Sequence, residues 1–238
     1  MPSKKNREKD TRADQVEALK KISEAITSDL YLDDVLKLIV SVTAQVMKSK
    51  ICSLMLLDKE KKELIIKATQ SISEEYNKKP NIKLGEGIVG IVAQTARPEQ
   101  VKDVRRDDRY VNRQIAQKEK LCSLLSVPLM VRKRVIGVLN CYTSKPHAFT
   151  PTEISVITTV ANQAAIVIEN SRLLVESQVI REELESKKII ERAKRVLMKE
   201  AGLSEEQAFR KIQKHSMDTR KPLREIAESI LTAEAMRT

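Results

Sequence analysis

Tryptophan is absent from this 238-residue chain, and phenylalanine occurs only twice, at Phe149 and Phe209. With aromatic residues at 3%, a large aromatic cage for haem or another bulky cofactor is not expected. No apolar run approaches the ~20 residues that a helix needs to cross a bilayer. The opening residues, Met1-Pro2-Ser3-Lys4-Lys5-Asn6-Arg7, place charge ahead of no apolar stretch, so a secretory signal is not expected. Cysteine is sparse: Cys52, Cys122 and Cys141 are odd in number, far apart and set in apolar, strand-like runs. That pattern predicts buried, reduced thiols in a cytoplasmic protein. Histidine occurs twice, and no ligand spacing suits a metal. No catalytic set, metal site or cofactor is expected.

Charge is what the chain has in excess. Lysine and arginine number 44 against 33 acidic residues, a net charge of +11. Such a balance favours an anionic partner, nucleic acid before an anionic membrane surface, and no membrane is expected among the partners.

Residues 1 to about 14 are polar and basic and predict a disordered tail. Val16, Leu19, Ile22 and Ile26 then have helical spacing. Leu30, Leu32, Val35, Leu36, Ile39, Val42 and Val46 predict a second helix, capped near Asp29 to Asp33. Ile51 to Leu57 and Glu63 to Ala68 read as a hairpin around a charged turn. Short strands are expected at Ile82–Leu84 and Gln100–Val104, with a glycine turn and helix between them, ended by Arg97-Pro98. Leu121–Val131 and Val135–Tyr142 form the longest strand pair, turned at Arg132-Lys133-Arg134. Pro128 calls for a bulge or an edge there. Gly85, Gly87 and Gly90 have dinucleotide-fingerprint spacing but lack the βαβ setting that motif needs, so they are read as local chain geometry.

Thr150, Pro151 and Glu153 open a helix with good start signals. Nothing breaks it before Gly202, a length of roughly 70 Å at ~1.5 Å per residue. Ile154, Ile157, Ala161, Ala164, Ile168 and Val175 mark one apolar stripe; Val156, Val160, Val167 and Leu174 mark another. Ile166, Leu173 and Ile180 repeat every seven residues, which predicts a short coiled coil with a second copy. Asn170 and Ser177 would sit in its seam and weaken it.

At this point the sequence resembles a family. Gly85-Glu-Gly-Ile-Val-Gly90, Val101-Lys-Asp-Val104 with Asp107-Asp-Arg-Tyr110, Ser126-Val-Pro-Leu129, Val135-Ile-Gly-Val-Leu139, Phe149-Thr-Pro-Thr-Glu153 and Asn162-Gln-Ala-Ala-Ile166 follow one another as in a GAF domain. The resemblance implies an α+β fold over residues 15–175, with about six antiparallel strands, helices on both faces and a pocket for a small-molecule ligand of unidentified chemistry. The signature of cyclic-nucleotide-binding members is missing, and the cysteine context of reductase members is unmatched.

The C-terminal residues resemble an ANTAR domain, the RNA-binding antitermination module of bacterial regulators. The resemblance is carried by Ile190-Glu-Arg-Ala-Lys-Arg-Val-Leu-Met198, Gly202-Leu-Ser-Glu-Glu-Gln-Ala-Phe209 and Leu223-Arg-Glu-Ile-Ala-Glu-Ser-Ile-Leu231. It implies a three-helix bundle over 180–236, after a coiled-coil linker at 176–188. Arg195 stands where the family commonly has glycine. The residues support the bundle independently: Ile190, Ala193 and Leu197 make one stripe, Gly202 a positive-φ stop, and Ser204 with Gln207 a capping box. Phe209, Ile212 and Ser216 are expected on the inner face of the second helix; Leu223, Ile226, Ala227 and Ile230 on that of the third, opened by Pro222.

Lys194, Arg195, Arg210, Lys211, Lys214, Arg220 and Lys221 are then the candidate RNA-binding residues. The resemblance implies hairpins of a nascent leader mRNA as their target, bound so that a terminator cannot form, by a homodimer joined through the long helix. Two other readings remain. One is a DNA-binding helix-turn-helix regulator, against which the expected loop from about His215 to Pro222 is too long. The other is a GAF-type small-molecule or redox enzyme with a basic tail.

Overall fold

A computed structural model describes residues 32–236. The tail and the helix expected from Val16 to Ile26 lie outside the described residues. The chain divides into two compact units between Ser171 and Arg172, and each is described by itself.

The first unit opens with α1 (Leu32–Val46), followed by the hairpin β1 (Ile51–Asp58) and β2 (Glu63–Thr69). Then come α2 (Glu74–Asn77), β3 (Ile82–Lys83), α3 (Gly87–Thr95), β4 (Glu99–Val101) and α4 (Arg113–Lys118). β5 (Leu124–Val131) and β6 (Arg134–Tyr142) lead into the long helix α5 (Pro151–Ala201). All strand pairings are antiparallel, in the order β3-β2-β1-β6-β5-β4. The α+β class, the six strands and the long helix are as expected. The short helices α2 and α4 are additional, because each is too brief to show a period in the sequence.

Both faces of the sheet are covered. On one, Leu54, Leu125, Val127, Leu129, Leu139 and Cys141 pack with Leu36, Ile39 and Val40 of α1 and with Ile157, Ala161 and Ala164 of α5. On the other, Met55, Leu64 and Val138 lie beneath Val89 and Val92 of α3. Ile51, Leu124 and Tyr142 lie beneath Tyr76, Ile88, Tyr110 and Ala116. Each fully buried large side chain of this kind contributes about 1.5–3 kcal/mol. The three cysteines are free and buried. Cys52 and Cys141 face each other across β1 and β6 with sulfurs 3.5 Å apart, and burial pushes the Cys52 thiol well up, which disfavours the reactive thiolate.

Pro128 satisfies both of its expectations. The β5–β6 register shifts between Leu129 and Met130, and β4 ends opposite Ser126, so the proline interrupts no ladder on its outer side. The β5–β6 turn holds Arg132 at φ 45° and Lys133 at φ 66°, the two positive values of a tight primed turn.

Gly85, Gly87 and Gly90 serve packing. A Cβ on Gly90 would lie 2.4 Å from the Lys83 carbonyl oxygen, and one on Gly87 would lie 2.8 Å from Val111 Cγ2. By helix propensity alone, Gly90→Ala within α3 would gain about 1 kcal/mol. The clash reverses the sign. Gly90→Ala is expected to destabilise the first unit by about 2 kcal/mol or more, measured by denaturant titration; a gain in stability would contradict this packing.

Candidate nucleic-acid interface and sensor interior

The second unit is a bundle built by the last turns of α5, by α6 (Glu205–Thr219) and by α7 (Leu223–Ala235). Ala193, Ile212, Ile226 and Ala227 are its buried centre, with Ile189, Ile190, Leu197, Leu223, Ile230 and Leu231 around them. Gly202 stops α5 at φ 61°. Ser204 Oγ then accepts from Gln207 N at 3.2 Å while Gln207 Oε1 accepts from Ser204 N at 2.9 Å, the expected capping box. The end of α5 and the start of α6 are thus both satisfied by local sequence.

Two expectations on α6 are corrected. Phe209 is 37% exposed, and Ala208 takes the inner position with Ile212. The connection between α6 and α7 is also shorter than expected: α6 continues through His215 to Thr219, leaving Arg220, Lys221 and Pro222. Nothing from His215 to Thr219 breaks a helix, and Arg220 ends it in the left-handed region at φ 56°, with its N–H turned back to the Met217 and Ser216 carbonyls. Lys221 N donates to Ser216 O at 3.1 Å, and Ser216 Oγ donates to Lys221 O at 2.5 Å. A three-residue turn no longer counts against a helix-turn-helix.

The seven candidate side chains do different things. Lys194 is 7% exposed and is clamped by Glu191 at 2.8 Å and Glu205 at 2.7 Å. The Glu191 and Glu205 hydrogen bonds raise its pKa, and the same pairing lowers that of Glu205. Lys194 therefore ties α5 to the first turn of α6 and is withdrawn from the surface. Arg195, Arg210, Lys211, Lys214, Arg220 and Lys221 are exposed. Arg210 pairs with Glu206 at 2.7 Å, and Lys221 pairs with Glu225. Lys211, Lys214 and Lys221 come together with His215 and a single carboxylate, Asp218, along one groove of about 550 Å³. Leu197, Ile212, Ile226, Ile230 and Ala233 line it as well. A basic rim over an apolar floor can take phosphates at its edge and an unstacked base inside.

The interior of the first unit holds residues that the sequence did not single out. Ser53, Asn140 and Ser126 are fully buried and lie opposite one another on three adjacent strands. Ser126 Oγ donates to Asn140 Oδ1 at 2.7 Å, and the Asn140 Nδ2 amide has no acceptor. Ser53 Oγ and Tyr76 Oη share a hydrogen bond of 2.9 Å. Tyr142 meets Tyr76 and Tyr110 edge to face, at ring centroid distances of 6.1 and 6.3 Å. Burial pushes all three phenols up, Tyr110 to about 12. Lys79 is 7% exposed, with Nζ 4.1 Å from the centre of the Tyr76 ring and 5.9 Å from that of Tyr142. Burial lowers its pKa to about 7. The only signal in the sequence is that three of the four tyrosines fall in this half's connecting segments and last strand; Lys79 resembles any other loop lysine.

One unit thus has a lidded interior with unpartnered polar groups, and the other an exposed groove bearing lysines. The GAF domain model matches residues 30–169, and the ANTAR domain model matches residues 178–231. The chain belongs to the GAF domain family and carries an ANTAR domain at its C-terminal end. A solved GAF domain from an Acinetobacter phosphoenolpyruvate-protein phosphotransferase superposes with a TM-score of 0.59 at 28% identity, covering 67% of this chain and 95% of that one. The Escherichia coli phosphoenolpyruvate-dependent phosphotransferase system protein is 25% identical over 155 residues, 65% of this chain. This chain spans only 21% of that relative's length. The nitrate regulatory protein of Klebsiella oxytoca is 42% identical over 57 residues, 24% of this chain and 14% of that protein.

The capping box gives a direct check on the bundle. Ser204→Ala leaves the Gln207 backbone N–H in the first turn of α6 without its acceptor and is expected to cost about 1 kcal/mol. Helical circular dichroism through thermal melting reads the loss; an unchanged melt would mean that the cap does not support the bundle.

Proposed function

We propose that this protein is a cytoplasmic, dimeric RNA-binding regulator that holds hairpins of a nascent leader mRNA and so prevents a terminator from forming. The observation that carries the reading is the groove of the ANTAR unit, with Lys211, Lys214 and Lys221 on its rim. Lys211 and Lys214 have no carboxylate partner among the described residues, so no internal ion pair is broken when they meet phosphate. Arg195 and Arg220 add exposed charge, and Arg210 can exchange Glu206 for an RNA oxygen. The GAF unit is the sensing and dimerising part. No helix among the described residues is long and apolar enough to cross a membrane.

A second copy is the partner proposed for the exposed seam of α5. Ile166, Leu173, Ile180 and Leu184 are 48%, 50%, 58% and 53% exposed, a large apolar share for a helix in water. With Ile166, Leu173 and Ile180 at the d positions, Asn170, Ser177 and Leu184 fall at a, and Glu176 and Glu183 at g. Arg181 and Lys188 then occupy the e positions that a parallel partner presents to those glutamates. Leu173→Glu/Ile180→Glu is expected to convert a dimer into a monomer in analytical ultracentrifugation at micromolar concentration. An unchanged dimer would place the interface elsewhere.

The RNA reading is tested with a tandem-hairpin leader RNA and a duplex DNA of equal length, titrated at near-physiological salt. RNA is expected to bind more tightly than DNA. Lys211→Ala/Lys214→Ala should weaken RNA binding by at least tenfold and reduce the salt slope by about 1 for each phosphate no longer neutralised. Equal, salt-sensitive binding to both would leave only non-specific electrostatics. Tighter binding to DNA would favour the helix-turn-helix reading, to which the short α6–α7 turn gives some support.

A further inference from the structure

Two buried donors on one face of the GAF sheet have nothing to donate to. Asn140 Nδ2 is without an acceptor and fully buried. Lys79 is more than nine-tenths buried, and among the described residues its Nζ has neither an ion pair nor a hydrogen bond, only the faces of Tyr76 and Tyr142. Tyr76 and Ser53 link the two groups. Tyr76, under Lys79, reaches Ser53 with its hydroxyl, and Ser53 lies directly across from Asn140. An ammonium out of water without a counter-charge is costly, and an unmade amide bond adds to that cost. Cation–π contact with two rings offsets only part of it. Both missing partners are acceptors, and one that carried negative charge beside Lys79 would restore the ammonium that burial disfavours.

We propose that this surface holds a small organic carboxylate, its oxygens taken by Lys79 Nζ and Asn140 Nδ2 and its carbon body set against the tyrosine rings. The inference rests on the reading of the GAF unit as a sensor and names the class of ligand sensed. Ring faces carry the negative part of the aromatic quadrupole and repel a bare anion. A carboxylate with a carbon body can offer C–H groups to those faces while its oxygens reach the donors, which an inorganic oxyanion cannot do. A single lysine matches a single acid group at this point. Tyr76 is fully buried in the present arrangement. Entry therefore requires the four-residue α2, which carries it, to lift, releasing the contacts of Ser73 with Glu119 and of Glu75 with Lys118.

The chain reports on this site by itself, since it has four tyrosines, three of them here, and no tryptophan. Tyrosine fluorescence of the full chain would be titrated with sodium acetate, pyruvate and succinate, and separately with nitrate and inorganic phosphate, at constant ionic strength made up with chloride. At least one carboxylate is expected to give a saturable response at one site per chain. That response should weaken by tenfold or more in Lys79→Met and persist in Lys79→Arg, with folding of each variant checked by circular dichroism. No saturation by any carboxylate, saturation only by nitrate or phosphate, or equal affinity in Lys79→Met would each overturn the proposal. Leader-RNA binding measured on the same samples separates the two readings. RNA binding without carboxylate binding removes only the ligand; carboxylate binding without RNA binding removes the antitermination reading and leaves the site.

Discussion

The sheet of the first unit is antiparallel, yet it is buried on both faces, and much of the molecule follows from that. An antiparallel sheet often leaves one face to water and alternates apolar with polar residues. Here β5 and β6 cannot alternate in that way, because each side chain meets a helix on one face or a lid on the other. The two faces differ in kind. The face under α1 and α5 is apolar throughout and supplies cohesion. The face under α2, α3 and α4 admits Ser53, Ser126, Asn140 and three tyrosines. Polar groups in such a place are costly unless each finds a partner, and most of them do. Those that do not are what distinguish this face from ordinary packing.

The sequence shows the first face well and the second poorly. Continuous apolar runs at Ile51–Leu57 and Leu124–Val131 announce strands whichever way the side chains point. The start signals at Thr150-Pro151 and the stop at Gly202 bound α5 closely. The lid is assembled from pieces too short for periodicity, and its key lysine is one of a pair, Lys78 and Lys79, of which only the second is buried. Burial of a loop residue depends on where the loop folds over, which local composition does not encode. The same limit appears at α6. Hydrophobicity alone places Phe209 inside, but the small Ala208 takes the buried position and the ring is left outside.

The effector unit shows how a basic composition divides between scaffold and surface. Lys194 and Lys211 are indistinguishable as letters. One is enclosed by two carboxylates at a helix junction, and the other stands on the rim of a groove. The acids matter as much as the bases here. Glu191, Glu205, Glu206 and Glu225 each hold a cation in place, whereas Lys211 and Lys214 on α6 are left without an acid partner among the described residues. Exposed pairs such as Arg210–Glu206 contribute little to stability and are readily exchanged for other partners.

The sheet's outer borders have a consequence of their own. β3 has two residues and β4 has three, and beyond β4 the next strand carries Pro128, which has no amide hydrogen. Long unpaired borders invite a neighbouring chain to add a strand and begin a fibril. On the β4 side the border is this short and is then interrupted by proline, which gives such a neighbour little to grip. The sheet is therefore guarded on that side against accidental strand addition, even though α5 leaves apolar side chains exposed.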